Sequence, residues 1–231
     1  MTTEEFKQLN QIEFNNTNLL EQAFIHRSFI NENPRSGLVH NERLEFLGDA
    51  VLELISTEFL YEKYPDQNEG DLTAYRSALV NAITLGDVAL NLHFNDMMKL
   101  SKGEAKDVHR ARSSILADAY EAFIGALYLD QGYAAAKTFI ERTLLTKMEE
   151  IIRKGLYKDA KSFVQEKSQE LYSITPIYKV LSEEGPDHDK LFKIGIYFGD
   201  ELIAEGDGKS KQEAETASAR LALELKGWVG K

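Results

Sequence analysis

The chain of 231 residues contains no cysteine, which excludes disulfides and thiolate metal sites and makes a reducing compartment the expected setting. Proline is scarce, at four residues, and the remaining composition, 43% hydrophobic and 28% charged, is that of an ordinary globular protein. No uninterrupted apolar run approaches the ~18 residues that span a bilayer. The opening segment, Met1-Thr2-Thr3-Glu4-Glu5-Phe6, is acidic and lacks the basic-then-apolar order of a secretory signal. A cytoplasmic protein without membrane partners is the expectation.

Positive charge is also short. There are 27 Lys+Arg against 38 Asp+Glu, a net charge of −11. Residues 1–158 hold 17 basic against 24 acidic side chains, a net of −7, and residues 159–231 hold 10 against 14, a net of −4. A nucleic-acid partner normally requires a basic footprint. Any such reading must find a local concentration of positive charge, or a cation that offsets the acids.

From Thr17 to about Arg153, apolar residues recur at helical spacing. Helices are predicted over 19–29, 43–64, 70–92, 113–130 and 133–154, the second stopped by Pro65. After Lys154 the pattern changes. Gly155 loosens the chain, and Asp159 can cap a helix reaching Tyr172. Strands follow over 177–184, 190–198 and 201–205, separated by the turn sequences Gly185-Pro186-Asp187-His188-Asp189 and Gly199-Asp200. A last helix opens at Ser210, with Glu213 as a capping-box partner, and ends before Gly227. The expected fold is therefore multidomain: an all-α domain over 1–154, a linker over 155–158, and a small α+β domain of order α-β-β-β-α over 159–228.

The chemistry is concentrated in Asn41-Glu42-Arg43-Leu44-Glu45-Phe46-Leu47-Gly48-Asp49. At ~100° per residue, positions 42, 45 and 49 fall within a ~60° arc spanning about 10 Å of helix. The other faces carry Leu44, Phe46, Leu47, Val51, Leu52, Leu54 and Ile55, and a helix that is apolar nearly all round is usually buried. Glu45 and Asp49 are then expected where an unpaired carboxylate costs several kcal/mol. A second segment, Ile115 to Gly125, places Asp118 and Glu121 one turn apart among Ala117, Ala119, Ala122 and Gly125, small residues that let another helix approach. An acid pair at this spacing is ordinarily a solvated helix face. Two such pairs in apolar helices point instead to convergence in one cavity. Arg43 alone cannot neutralise it, and its hard oxygen donors select Mg²⁺ or Mn²⁺. Gly48 in mid-helix costs roughly 1 kcal/mol against Ala, which indicates a close approach.

These residues resemble the signature of the ribonuclease III family almost letter for letter. The likeness continues at Ala23-Phe24-Ile25-His26-Arg27-Ser28, Glu69-Gly70-Asp71-Leu72, Ser101-Lys102-Gly103-Glu104 and 114–130. The domain order is similar to that of the short bacterial enzymes. The resemblance implies a Mg²⁺-dependent endoribonuclease cutting double-stranded RNA to 5′-phosphate and 3′-hydroxyl ends, with ribosomal and messenger RNA precursors as expected substrates. It makes Glu45, Asp118 and Glu121 metal ligands, Asp49 and Glu121 catalytic, and Glu42 and Glu69 acidic positions at the cleft and dimer surface. It also implies a homodimer, because a duplex has two strands to cut and a two-fold axis supplies two sites. No small-molecule cofactor is expected.

In the C-terminal part, Gly206-Asp207-Gly208-Lys209-Ser210-Lys211-Gln212-Glu213 resembles the loop-to-helix motif of double-stranded-RNA-binding domains. Lys209 and Lys211 stand at a helix N-terminus, whose free N–H groups already favour phosphate. A plain capped helix with incidental lysines is the competing account of this stretch alone. By resemblance, Ser210 belongs to the same contact, and Gln165, Glu166 and His188 reach 2′-hydroxyls across two minor grooves, reading A-form shape rather than sequence. Gln212 stands where the family usually has a second lysine, so binding by this domain is expected to be weak and salt-sensitive.

Two side readings carry less. His26, flanked by apolar residues in a predicted helix, is expected to be a core or interface residue. The pair His188-Asp189 lacks the partner histidines of a metal phosphohydrolase, and an all-α nucleotide hydrolase would leave the second domain idle. A non-catalytic RNA-binding scaffold shares the C-terminal domain, and it is separated from an enzyme by the acid constellation.

Overall fold

The fold is described from a computed structural model covering residues 1–106, 110–157, 159–186 and 190–228. Among these residues the chain forms two compact units, 1–149 and 150–231. The first unit is helical: α1 (Thr3–Asn10), α2 (Thr17–Ala23), α3 (Arg27–Glu32), α4 (Glu42–Lys63), α5 (Glu69–Leu79), α6 (Ala82–Asn91), α7 (Arg110–Gln131) and α8 (Tyr133–Thr143). A short helix, α9 (Met148–Arg153), spans the division between the units. The second unit continues with α10 (Ala160–Tyr172), strands β1 (Ile177–Glu184), β2 (Leu191–Phe198) and β3 (Glu201–Gly208), and α11 (Lys211–Leu225). The α-β-β-β-α order is as expected.

The centre of the first unit is the pair α4 and α7. Two glycines set their separation. A Cβ on Gly48 would lie 1.7 Å from the Glu121 carbonyl oxygen, and one on Gly125 would lie 2.2 Å from that of Leu44. The helices touch backbone to backbone, which accounts for glycine in mid-helix despite its propensity cost. Beside this contact, Phe6, Phe24, Phe94 and Phe123 form an edge-packed aromatic core, with Phe24 and Phe94 centroids 5.0 Å apart.

Several expected helices are divided. The helix predicted over 70–92 breaks at Val80–Asn81. There the Asn81 amide nitrogen donates to the carbonyls of Ser77 and Ala78, while its Oδ1 accepts the N–H groups of Ile83 and Thr84. One side chain thus closes α5 and opens α6. The helix predicted over 19–29 is interrupted where Ile25 forms a parallel bridge to Lys99. The Lys99 N–H donates to Phe24 and the His26 N–H to Lys99. The helix predicted over 133–154 ends at Thr143 and passes through a tight turn at Leu145–Lys147 before α9.

The expectation that α4 is buried nearly all round also fails. Phe46 is 82% exposed, Leu54 59% and Tyr61 74%. At 100° per residue these three share an arc of ~80°, so they form one uncovered apolar stripe. The hydrophobic count of α4 exceeds what its own unit can cover.

In the second unit the three strands form an antiparallel meander. Phe163 and Val164 of α10, Ile196 and Phe198 of β2, and Ala219 and Leu223 of α11 make its core. A Cβ on Gly206 would lie 2.2 Å from the Ser218 backbone nitrogen, so the glycine lets α11 lie against β3. No helix among the described residues is long and apolar enough to cross a membrane.

Candidate functional site

The approach of α4 and α7 decides where the acids go. Glu45 on α4 meets Asp118 and Glu121 on α7, and one carboxylate oxygen from each lies within 4.8 Å of the others. All three are half-buried. Asp49 follows one turn after Glu45 and is exposed, not buried as expected. It stands at the outer lip, close enough for its charge to act on both Glu45 and Glu121.

Among the described residues, none of these four acids has an ion pair or hydrogen bond with a basic side chain. The consequence is electrostatic. Burial, then the charges of Asp118, Glu42 and Asp49, push the Glu45 carboxyl up to about 7. Burial, then Asp49, Asp118, Glu45 and Glu53, push Glu121 up to about 8. Burial also raises Asp118, with a smaller opposing effect from His26. Carboxyls so shifted are held short of a cation. The donor set fits a hard divalent ion. Glu45, Asp118 and Glu121 would hold such an ion, their three oxygens gathered within 4.8 Å being hard donors of the kind it takes.

The remaining sequence-predicted residues lie around or away from this centre. Glu42, in the first turn of α4, is 3.4 Å from Arg27 Nη1, so it has a cation of its own, and 3.7 Å from His40 Nδ1. Glu69 is exposed at the start of α5 and does not join the cluster. Gln165 and Glu166 are exposed on α10. Ser210 caps α11 by accepting the Glu213 N–H at 3.1 Å, while Glu213 reaches back to the Lys209 N–H at 3.0 Å. Lys211, the first residue of α11, is 3.1 Å from Glu183 on β1. His188 lies outside the described residues.

Two residues near the acids were not picked out for that role in the sequence. Glu53, one turn beyond Asp49, adds to the negative field on Glu121, and its i,i+4 spacing from Asp49 was the available signal. His26 is not within a helix; it caps α3. Its Nδ1 accepts from the Ser28 N–H at 3.3 Å and lies 2.8 Å from Ser28 Oγ, which itself accepts the Ser101 N–H at 3.0 Å. The nearness of His26 to Asp118 could not be read from spacing, because 92 positions separate them in the chain.

Comparison with known proteins gives the same division of the chain. A family model described as Ribonuclease-III-like matches residues 16–148, and one described as Double-stranded RNA binding motif matches residues 160–226. A Ribonuclease 3 of Enterococcus faecalis is 45% identical over 224 residues, covering 96% of this chain and 96% of that protein. A Ribonuclease 3 of Carboxydothermus hydrogenoformans is 46% identical over 212 residues, covering 92% and 90%. Among solved structures, a nuclease domain of ribonuclease III from Campylobacter jejuni, described for flexibility in a region involved in dimer formation, superposes with a TM-score of 0.57 at 39% identity. It covers 63% of this chain and 97% of that structure.

Proposed function

The chain belongs to the ribonuclease III family, and from that premise we propose that it is a Mg²⁺-dependent endoribonuclease hydrolysing double-stranded RNA to 5′-phosphate and 3′-hydroxyl ends. The observation that carries this reading is the convergence of Glu45, Asp118 and Glu121 from two helices with no basic partner among the described residues. A scaffold that only bound RNA would gain nothing from half-buried, mutually repelling acids.

The three carboxylates hold the metal. Bound Mg²⁺, or Mn²⁺ in its place, supplies an activated water and offsets charge at the scissile phosphate. Asp49 and Glu121 are the catalytic pair, Asp49 from the exposed lip and Glu121 from the deeper wall. They orient the attacking water as its oxygen bonds to phosphorus and the bond to the 3′-oxygen breaks. Neither histidine nor a serine or cysteine nucleophile is required.

Glu42 and Glu69 complete the acidic surface of the cleft in a homodimer. Support for the dimer comes from the uncovered stripe of Phe46, Leu54 and Tyr61 on α4, since contiguous exposed apolar surface marks an interface. The dimer-forming region described for the Campylobacter jejuni relative adds to it. Residues 155–158, the last of them outside the described residues, are the proposed linker to the RNA-binding domain. There Gln165, Glu166 and His188 reach sugar hydroxyls, and Lys209, Ser210 and Lys211 meet phosphate. Structured precursors of ribosomal and messenger RNA in the cytoplasm are the proposed substrates.

The test is digestion of long double-stranded RNA with Mg²⁺ and with EDTA, mapping the product ends. Cutting only with Mg²⁺, leaving 5′-phosphates, is the expected result. Binding without cutting in both conditions would leave the scaffold as the function.

A further inference from the structure

In the second unit, one of the two lysines proposed to meet phosphate is already engaged. Lys211 Nζ lies 3.1 Å from Glu183 Oε1, on the strand that enters the β1–β2 turn. The same ammonium sits 5.6 Å from the centroid of Phe192, the cross-strand partner of Glu183. Lysine, carboxylate and ring form a closed set at the amino end of α11. Both charged side chains are partly solvated, so the pair can open without stranding a buried charge.

We propose that Glu183 is an affinity-setting residue that competes with RNA phosphate for Lys211. This inference rests on the double-stranded-RNA reading of the second unit. Phosphate is an acceptor of the same sign and geometry as a carboxylate, so Lys211 cannot serve both fully. When RNA engages Lys211, the released Glu183 carboxylate is left facing phosphate and takes up a counterion. That uptake partly cancels the counterion released from the RNA. The pair therefore weakens binding and flattens its salt dependence, in a unit where Gln212 already replaces one lysine of the motif and the net charge is negative.

The experiment is a double-mutant cycle on the full-length chain in EDTA, which prevents cutting. The probe is a perfectly paired RNA duplex longer than the ~16 base pairs that one such domain spans. Glu183→Gln is expected to tighten binding about two- to five-fold, the range of an exposed ion pair, and to steepen the log–log salt slope by up to about one charge. Lys211→Gln should cost more affinity in the Glu183→Gln background than in the wild type. Glu184→Gln removes the same charge from the next residue of β1, whose side chain points to the opposite face, and should have a smaller effect. Equal gains from Glu183→Gln and Glu184→Gln would mean general electrostatics and would overturn the proposal. So would an equal cost of Lys211→Gln in both backgrounds. Wild-type protein that binds no duplex at any salt would overturn the RNA reading together with it, whereas normal binding with an unresponsive Glu183→Gln removes this inference alone.

Discussion

The acidic cluster of the first unit and three acids of the second are met in opposite ways. In the first, α4 and α7 approach through Gly48 and Gly125 and press Glu45, Asp118 and Glu121 together with no lysine or arginine partner among the described residues. In the second, three acids on the sheet and the last helix are each matched by a lysine. Glu183 pairs with Lys211 at 3.1 Å, Glu205 with Lys193 at 3.8 Å and Glu215 with Lys161 at 2.5 Å. The same residue types therefore have different meanings. Paired acids tune a surface, whereas unpaired and half-buried acids lower the stability of the metal-free fold and create the demand for a cation.

The strongest way to break that contrast is to remove one unpaired acid. Glu121→Gln keeps the shape and deletes a ligand, so cutting at saturating RNA should fall at least about a hundred-fold. Duplex binding in EDTA should stay nearly unchanged, because no phosphate contact is lost. A variant that cuts at near wild-type rate would remove Glu121 from the mechanism. Next in size is Gly48→Ala, whose Cβ would collide with the Glu121 carbonyl at 1.7 Å. Overpacking of this kind costs about 1–3 kcal/mol, or roughly 3–10 °C in the thermal midpoint of the first unit. Cutting should fall with it, because the two acid-bearing helices are driven apart. An unshifted midpoint would show that the backbone contact does not set their spacing.

How much of this could be read in the sequence depended on where the determining contacts lie. Glu45 and Asp49, and likewise Asp118 and Glu121, are neighbours on one helix, so spacing alone placed each pair. Gly48 and Gly125 signalled close approach because glycine in mid-helix needs a reason. The breaks at Asn81 and His26 were hidden. Asn81 interrupts no apolar periodicity, and its cap acts through two carbonyls behind it and two N–H groups ahead. The break before His26 depends on Lys99, which pairs across 74 positions. The exposure of Phe46 was illegible for a different reason. Periodicity reports that a face is apolar, not whether its own chain covers it.

The contrast can be sharpened by pH. In the metal-free protein Glu45 and Glu121 titrate at about 7 and about 8, above the ordinary value of 4.5. For a raised carboxyl the native state holds its proton longer than the unfolded chain. Its stabilising contribution is thus complete below about pH 4.5 and is lost as pH rises through 7 and 8. The thermal midpoint in EDTA should therefore decline between about pH 5 and pH 8.5, and Glu121→Gln should flatten that decline. Mg²⁺ binds the charged forms, so the gain in midpoint on adding it should be larger at pH 8 than at pH 6. A metal gain independent of pH would separate the ion from these carboxylates.

The smallest effect is expected where the same chemical change meets a paired acid. Glu215→Gln breaks the contact with Lys161, which links the start of α10 to α11. Both side chains are about one-third exposed, so solvent screens the pair, and Lys161 also lies 5.1 Å from the Tyr178 ring centroid, a contact the substitution does not remove chemically. Such pairs are worth ~0–1 kcal/mol, a fall of at most about 8 °C in the midpoint of the second unit, with the cutting rate at saturating RNA unaltered. The sign matters more than the size. In EDTA at pH 8, Glu121→Gln relieves repulsion and should raise the midpoint, whereas Glu215→Gln deletes an attraction and should lower it. If both substitutions move the midpoint in the same direction, the pairing of an acid is not what distinguishes the two units.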